Sequence, residues 1–204
     1  MLDALRAAVD SHTGQFICEE INCKQNTKIV QFRHIGSPSN SALAVPNIPS
    51  FKEFYGTYEN LTMYIDQKSG DAAYFIASPS QWHELNDEFR PWLEMVDEDE
   101  VEECLPSWIK DYIVVGMIPQ SGNYLLVPAS GSDIGKVFEF EHDGFEFLEI
   151  GSNLVDFVTR TLDLDPRRLR AMASHLRFVT ADDSRQWWIK ELRDNRGNII
   201  QTEA

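Results

Sequence analysis

Residues 112–162 read YIVVGMIPQSGNYLLVPASGSDIGKVFEFEHDGFEFLEIGSNLVDFVTRTL. The apolar run Ile113–Ile118, closed by Pro119, is followed across Gln120-Ser121-Gly122 by a second run, Asn123–Val127, and the pair predicts two strands of one antiparallel sheet. Lys136–Phe140 and Phe145–Leu148 flank Asp143-Gly144, whose tolerance of positive φ suits the tight turn of a hairpin. With Asp143 and Gly144 as the two loop residues, Phe140 faces Phe147 and His142 faces Phe145. Phe138, Phe140, Phe145 and Phe147 then share the buried side of the pleat, and Glu139, Glu141 and Glu146 take the wet side. Ser152 is placed to cap a helix whose Leu154, Phe157, Val158 and Leu162 form one stripe, and Asp163-Leu164-Asp165-Pro166 ends it.

Upstream, Leu2, Leu5, Ala8 and Val9 predict a short amphipathic helix that stops before Thr13-Gly14. Lys28–Ile35 reads as a strand and Gly36–Ser41 as a loop. From Ile48-Pro49 the positions Phe51, Phe54, Tyr55, Tyr58 and Leu61 keep helical spacing. Leu61–Ile65 and Ala72–Ala77 then form a second candidate hairpin around Lys68-Ser69-Gly70. Ser78, Pro79 and Gln81 spell a capping box, and Trp82, Leu85, Phe89, Trp92 and Leu93 give the helix behind it a core-facing stripe.

That helix runs into acid. Residues 84–103 hold ten Asp or Glu and the single base Arg90. A helix C-terminus disfavours such charge, so Asp97, Glu98, Asp99, Glu100, Glu102 and Glu103 read as an exposed connector before Pro106 and Trp108 return the chain to the sheet. Either this run is a solvated linker or it is an electrostatic landing site for a basic partner.

Charge is unevenly distributed along the chain. The net formal charge is −15; residues 1–165 carry 28 acids against 10 Lys and Arg, whereas residues 166–204 carry 5 acids against 8. The body repels nucleic-acid phosphates and attracts basic proteins, so direct nucleic-acid binding is not expected. In the tail, Arg167, Arg168 and Arg170 open a predicted helix through Met172 and Leu176. Arg177–Thr180 and Gln186–Leu192 predict a hairpin about residues 181–184, with Arg196-Gly197-Asn198 as a further turn. Such strands would extend the sheet edge, and their basic character with Trp187-Trp188 could also dock them on the acidic body of this chain or of a second copy, the latter giving a homodimer.

Catalytic patterns are missing. His12, His34, His83, His142 and His175 include no pair at helical metal spacing, and Cys18, Cys23 and His12 lack the tight paired spacing of a zinc site. Gly131–Gly135 lacks the ending of a phosphate loop, and no nucleophile elbow occurs. No enzyme activity, metal or cofactor is expected. Three cysteines, no signal-like N-terminus and no long apolar run give the expectation of a cytoplasmic protein without a membrane partner.

One resemblance adds to this reading. The residues from Gly116 to Leu162 resemble the C-terminal half of the SUKH superfamily, which groups yeast cell-wall synthesis regulators of the Smi/Knr type with bacterial toxin-immunity proteins. The resemblance is carried by Gly116, the strand Asn123–Leu126, Gly135-Lys136-Val137 and Ser152–Phe157; upstream, Ile48–Tyr55 looks like the family's proline-started helix. Tyr58-Glu59-Asn60-Leu61 lacks the Asn-Gly pair usual after that helix. The resemblance implies an α+β domain with a central antiparallel sheet packed by helices over residues 1–165, the 166–204 extension packing on it. It implies a protein that neutralises a toxin by stoichiometric binding, and the acidic charge, not the resemblance, makes Asp97–Glu103 the run expected to steer a basic toxin domain such as a nuclease. The family's other branch implies a regulatory or scaffold module.

Overall fold

Phe140 does face Phe147, in the hairpin that forms one end of a ten-stranded sheet. The computed structural model describes residues 2–20, 22–39, 44–97, 104–164, 169 and 187–202. Its elements, in chain order, begin with α1 (Leu2–Ser11), β1 (Gly14–Glu20), β2 (Cys23–Pro38), α2 (Phe51–Thr57), β3 (Tyr58–Asp66) and β4 (Tyr74–Ile76). They continue with α3 (Trp82–Leu93), β5 (Tyr112–Ile118), β6 (Asn123–Pro128), β7 (Val137–Glu141), β8 (Glu146–Gly151), α4 (Leu154–Leu162), β9 (Trp187–Arg193) and β10 (Ile199–Thr202). Every described pairing is antiparallel, in the order β10-β9-β1-β2-β3-β4-β5-β6-β7-β8. The architecture is α+β.

Helices cover both faces of the sheet. On one, α1, α2 and α4 pack together over Phe16, Phe32, Leu61, Met63, Val115, Leu125 and Val137. On the other, α3 lays Leu85 and Phe89 over Val114, Leu126, Phe138 and Phe140. The α3 stripe and its capping residues match the sequence reading: Ser78 N–H donates to Gln81 Oε1 at 3.1 Å. The first turn, Pro79–Gln81, is a 3-10 turn.

Several expectations are corrected. The β7–β8 turn has four residues, not two, because Glu141 pairs with Glu146 and His142–Phe145 make the turn. Phe145, not Gly144, takes the positive φ of 54°. The Glu141 carboxylate closes the turn instead, accepting N–H bonds from Asp143 at 3.1 Å and Gly144 at 2.6 Å. His142 and Phe145 are therefore turn residues and not a strand pair, although the register of the pairs before them is the expected one. Glu139 and Glu141 are not on a wet face: they are 6% and 8% exposed, since both faces of β7 are covered. Burial is tolerated because each carboxylate has hydrogen-bond donors, Asn123 Nδ2 reaching Glu139 Oε1 at 3.0 Å. Glu146 is exposed as expected.

The helical spacing from Phe51 stops at Thr57, and Tyr58 and Leu61 belong to β3, where aromatic and apolar residues pack on the pleat. Gly36–Pro38 is strand, not loop; β2 is long because its first part pairs with β1 and its second with β3. Residues 14–20, for which no element was predicted, form β1, whose Phe16 and Cys18 face the core. α3 ends at Leu93 and does not carry the acidic run. The tail strand 187–193 pairs with β1 and β10, with Trp187 buried against this chain's own core. The predicted helix after Pro166 and the strand 177–180 lie outside the described residues, apart from helical Leu169.

The α4 cap falls one residue later than expected. Asn153 Oδ1 accepts the Asp156 N–H at 3.0 Å, while Ser152 N–H and Oγ–H donate to Asp156 Oδ2 at 2.8 and 2.9 Å. Asn153→Ala should therefore cost about 1 kcal/mol in urea unfolding. Ser50, at φ 62°, accepts the Leu154 N–H on Oγ at 3.1 Å and so ties the start of α2 to that of α4.

Candidate functional site

The chain leaves the acidic run at Cys104 and immediately passes the outer strand of the sheet. Cys104, Leu105 and Pro106 form one wall of an open groove of ≈ 410 Å³, and Phe145, Glu146, Phe147 and Leu148 form the other. Pro106 then starts a 3-10 turn, Ser107–Lys110, that seats Trp108 beneath the groove. Its ring lies 4.6 Å from Phe138 and 5.6 Å from Phe147. Phe147 is braced in turn by Phe140 at 5.2 Å, so the apolar wall rests on the α3 core. Glu146 and Leu148 are exposed on the rim, Leu148 at 43%. Farther along β8, Glu149 holds Lys136 Nζ at 2.9 Å, and Lys136 also pairs with Asp133 at 2.9 Å. That hydrogen bond lowers the Asp133 pKa and raises that of Lys136.

Asp97 is exposed just beyond α3, and Glu98, Asp99, Glu100, Glu102 and Glu103 lie outside the described residues. The groove had no sequence signal of its own, because its two walls are distant in the chain and consist of ordinary core-type residues.

Beside the groove, the β7–β8 turn brings Glu141, His142 and Asp143 together, with one ligand-type atom from each within 4.8 Å. Their hydrogen bonds show how the turn is built. Asn123 gives its amide N–H to Glu139, so its Oδ1 is the acceptor for His142 N–H at 3.2 Å and for the imidazole Nδ1 at 2.7 Å. This puts a proton on Nδ1, while Nε2 lies 3.0 Å from Asp143 Oδ1, a contact that is favourable only when a proton or a cation lies between the two atoms. These are the residues that could hold a cation. Cys18 is buried with its thiol pKa pushed up to about 12 by burial, and Cys23 is exposed; both are free. A buried thiol held protonated is a poor zinc ligand.

The fold also forms a histidine pair, His12 with His34. β3 carries one extra residue opposite His34, and Tyr64 takes φ 56° there. The Tyr64 N–H, displaced from the ladder, donates to His34 Nδ1 at 3.1 Å. His34 Nε2 lies 2.8 Å from His12 Nδ1, and the rings stack at 5.1 Å. Because His34 Nδ1 accepts, its Nε2 carries the proton and His12 Nδ1 accepts in turn. Burial holds both rings below the ordinary histidine pKa, His34 at about 3, with the neighbouring His12 adding to the effect. Asp163 opposes the shift at His12. No sequence pattern links residues 12, 34 and 64; only the bulge brings them together.

Among the described residues, no helix is long and apolar enough to cross a membrane. The chain matches no family model, no curated protein and no solved structure.

Proposed function

We propose that this chain acts by binding rather than turnover, as an immunity protein of the SUKH kind that neutralises a basic toxin domain, such as a nuclease, by stoichiometric occlusion. One observation carries the reading: an aromatic-backed groove opens at Cys104–Pro106, which directly follow in sequence the run Asp97–Glu103, six acids in seven residues. Apolar anchors surrounded by charge are the usual make-up of a protein interface core and rim. The net charge of −15 would steer a basic partner toward it.

The test is capture of partners by the tagged full chain from lysate of the source cells, washed over a salt series. One basic protein held at stoichiometric yield, and released by salt, supports the reading. Several weak partners of mixed charge would favour the regulatory module instead, and an empty bait would remove both. Reversing Asp97, Glu98, Asp99, Glu100, Glu102 and Glu103 to lysine should slow association with the captured partner about tenfold or more at low salt and flatten its salt dependence. Unchanged rates in stopped-flow binding would rule out the acidic run as the steering element.

A further inference from the structure

We infer that the outer edge of β8, at Glu146–Glu149, receives an extended basic segment of a protein partner as an additional strand of the sheet. This rests on the binding reading above and specifies its contact.

β8 ends the sheet order, with its inner edge taken by β7 through the pairs Glu141↔Glu146, Phe140↔Phe147, Glu139↔Leu148 and Phe138↔Glu149. The alternate backbone groups of an edge strand point outward, and among the described residues no hydrogen bond reaches those of Glu146–Glu149. Proteins usually guard such an edge with lysine, proline or a bulge. Glu146-Phe147-Leu148-Glu149 contains neither lysine nor proline. Its guards are the two glutamates and a bulge just beyond it, where the register shifts across Ile150 between the pairs Phe138↔Glu149 and Val137↔Gly151, so the edge repels like charge and stays open to a basic strand. The groove beside Phe145–Leu148 gives the added strand a second, apolar wall.

Charge decides what fits. Antiparallel pairing of two copies of this strand would set Glu146 opposite Glu149, and like charges directly opposite are destabilising. A second copy is therefore disfavoured. The strand reads acid–apolar–apolar–acid, so its complement reads basic–apolar–apolar–basic in either chain direction. Along the pleat Glu146 shares a face with Leu148, and Phe147 with Glu149, so each face of the incoming strand needs one cation and one apolar side chain. Main-chain bonds would give such a complex its affinity and the two side-chain faces its selectivity.

The probe is the capped hexapeptide Thr-Lys-Val-Val-Lys-Thr, with Thr-Glu-Val-Val-Glu-Thr as its counterpart, titrated into the full chain. Amide exchange and amide chemical shifts are read together. The lysine peptide should slow exchange within residues 146–149, and its affinity should drop several-fold between about 0.05 and 0.3 M salt. The chain carrying Glu146→Lys and Glu149→Lys should bind it at least about tenfold more weakly and should now accept the glutamate peptide. Both sites are exposed, and the ion pair with Lys136 that Glu149→Lys removes is a surface pair that adds little stability, with Asp133 still holding Lys136, so the fold is retained. Equal binding of the two peptides, protection elsewhere, or no protection up to about 5 mM peptide would overturn the inference. If the lysate partner binds the doubly substituted chain undiminished, the contact at β8 is wrong and the immunity reading survives. If the peptide binds at β8 and no basic partner is captured, the edge stands and the toxin assignment fails.

Discussion

Acidification is expected to destabilise this protein through His34 before its carboxylates titrate fully. The imidazole is held neutral in the fold, with a pKa lowered from 6.5 to about 3 by burial and by His12. Between those values the unfolded chain binds more protons than the folded one, so stability is fully present above about pH 6.5 and is lost as pH falls. The expected loss is on the order of 2–3 kcal/mol by about pH 4.5. Geometry gives the same sign: a second proton on either ring sets N–H against N–H, across the 2.8 Å contact with His12 or against the Tyr64 N–H. His34→Gln keeps an acceptor for Tyr64 and a donor for His12 while removing the titration. Urea unfolding at both pH values should show a steeper decline for the parent than for His34→Gln. Matching declines would show that the pair does not control acid stability.

The second large effect is expected at Gly116. This residue lies in β5 between β4 and β6, and a Cβ built there would come within 2.1 Å of the Phe75 carbonyl oxygen. The obstacle is backbone, which cannot rotate away, and β4 is held by only three residues. Gly116→Ala should cost about 3 kcal/mol, the upper part of the range for overpacking, and should loosen the β4–β5 pairing. Gly70→Ala is the matched control: it has φ 81° and nothing within 4 Å, so its cost is conformational alone and about 1 kcal/mol. Similar losses for the two variants in thermal or urea unfolding would contradict the packing account.

These two positions show where the sequence was informative. The strands around Gly116, the Phe140–Phe147 register, the Ser78 capping box and the α3 stripe were legible because short-range periodicity and turn chemistry set them. β1 was not, since Phe16-Ile17-Cys18 is contiguous rather than alternating and Glu19-Glu20 masks the inward position of Glu20, which is 8% exposed. The burial of Glu139 was also hidden, because it depends on Asn123 from a neighbouring strand. In the candidate site, only the acidic approach was visible beforehand. The groove needed Pro106 and Phe147 brought side by side, and the histidine pair needed a bulge in β3; neither has a local signature.

The sheet order carries a consequence for synthesis. β1 leaves the ribosome well before β9, so Phe16 finds its cross-strand neighbour Leu192 only when β9 has been made. Until then β1 has β2 on one side and an open edge on the other, a state that invites pairing with other nascent chains. Contacts this distant in sequence also slow folding. β9 thus closes the edge that β1 leaves open, and a chain cut short before Trp187 would carry β1 without that neighbour.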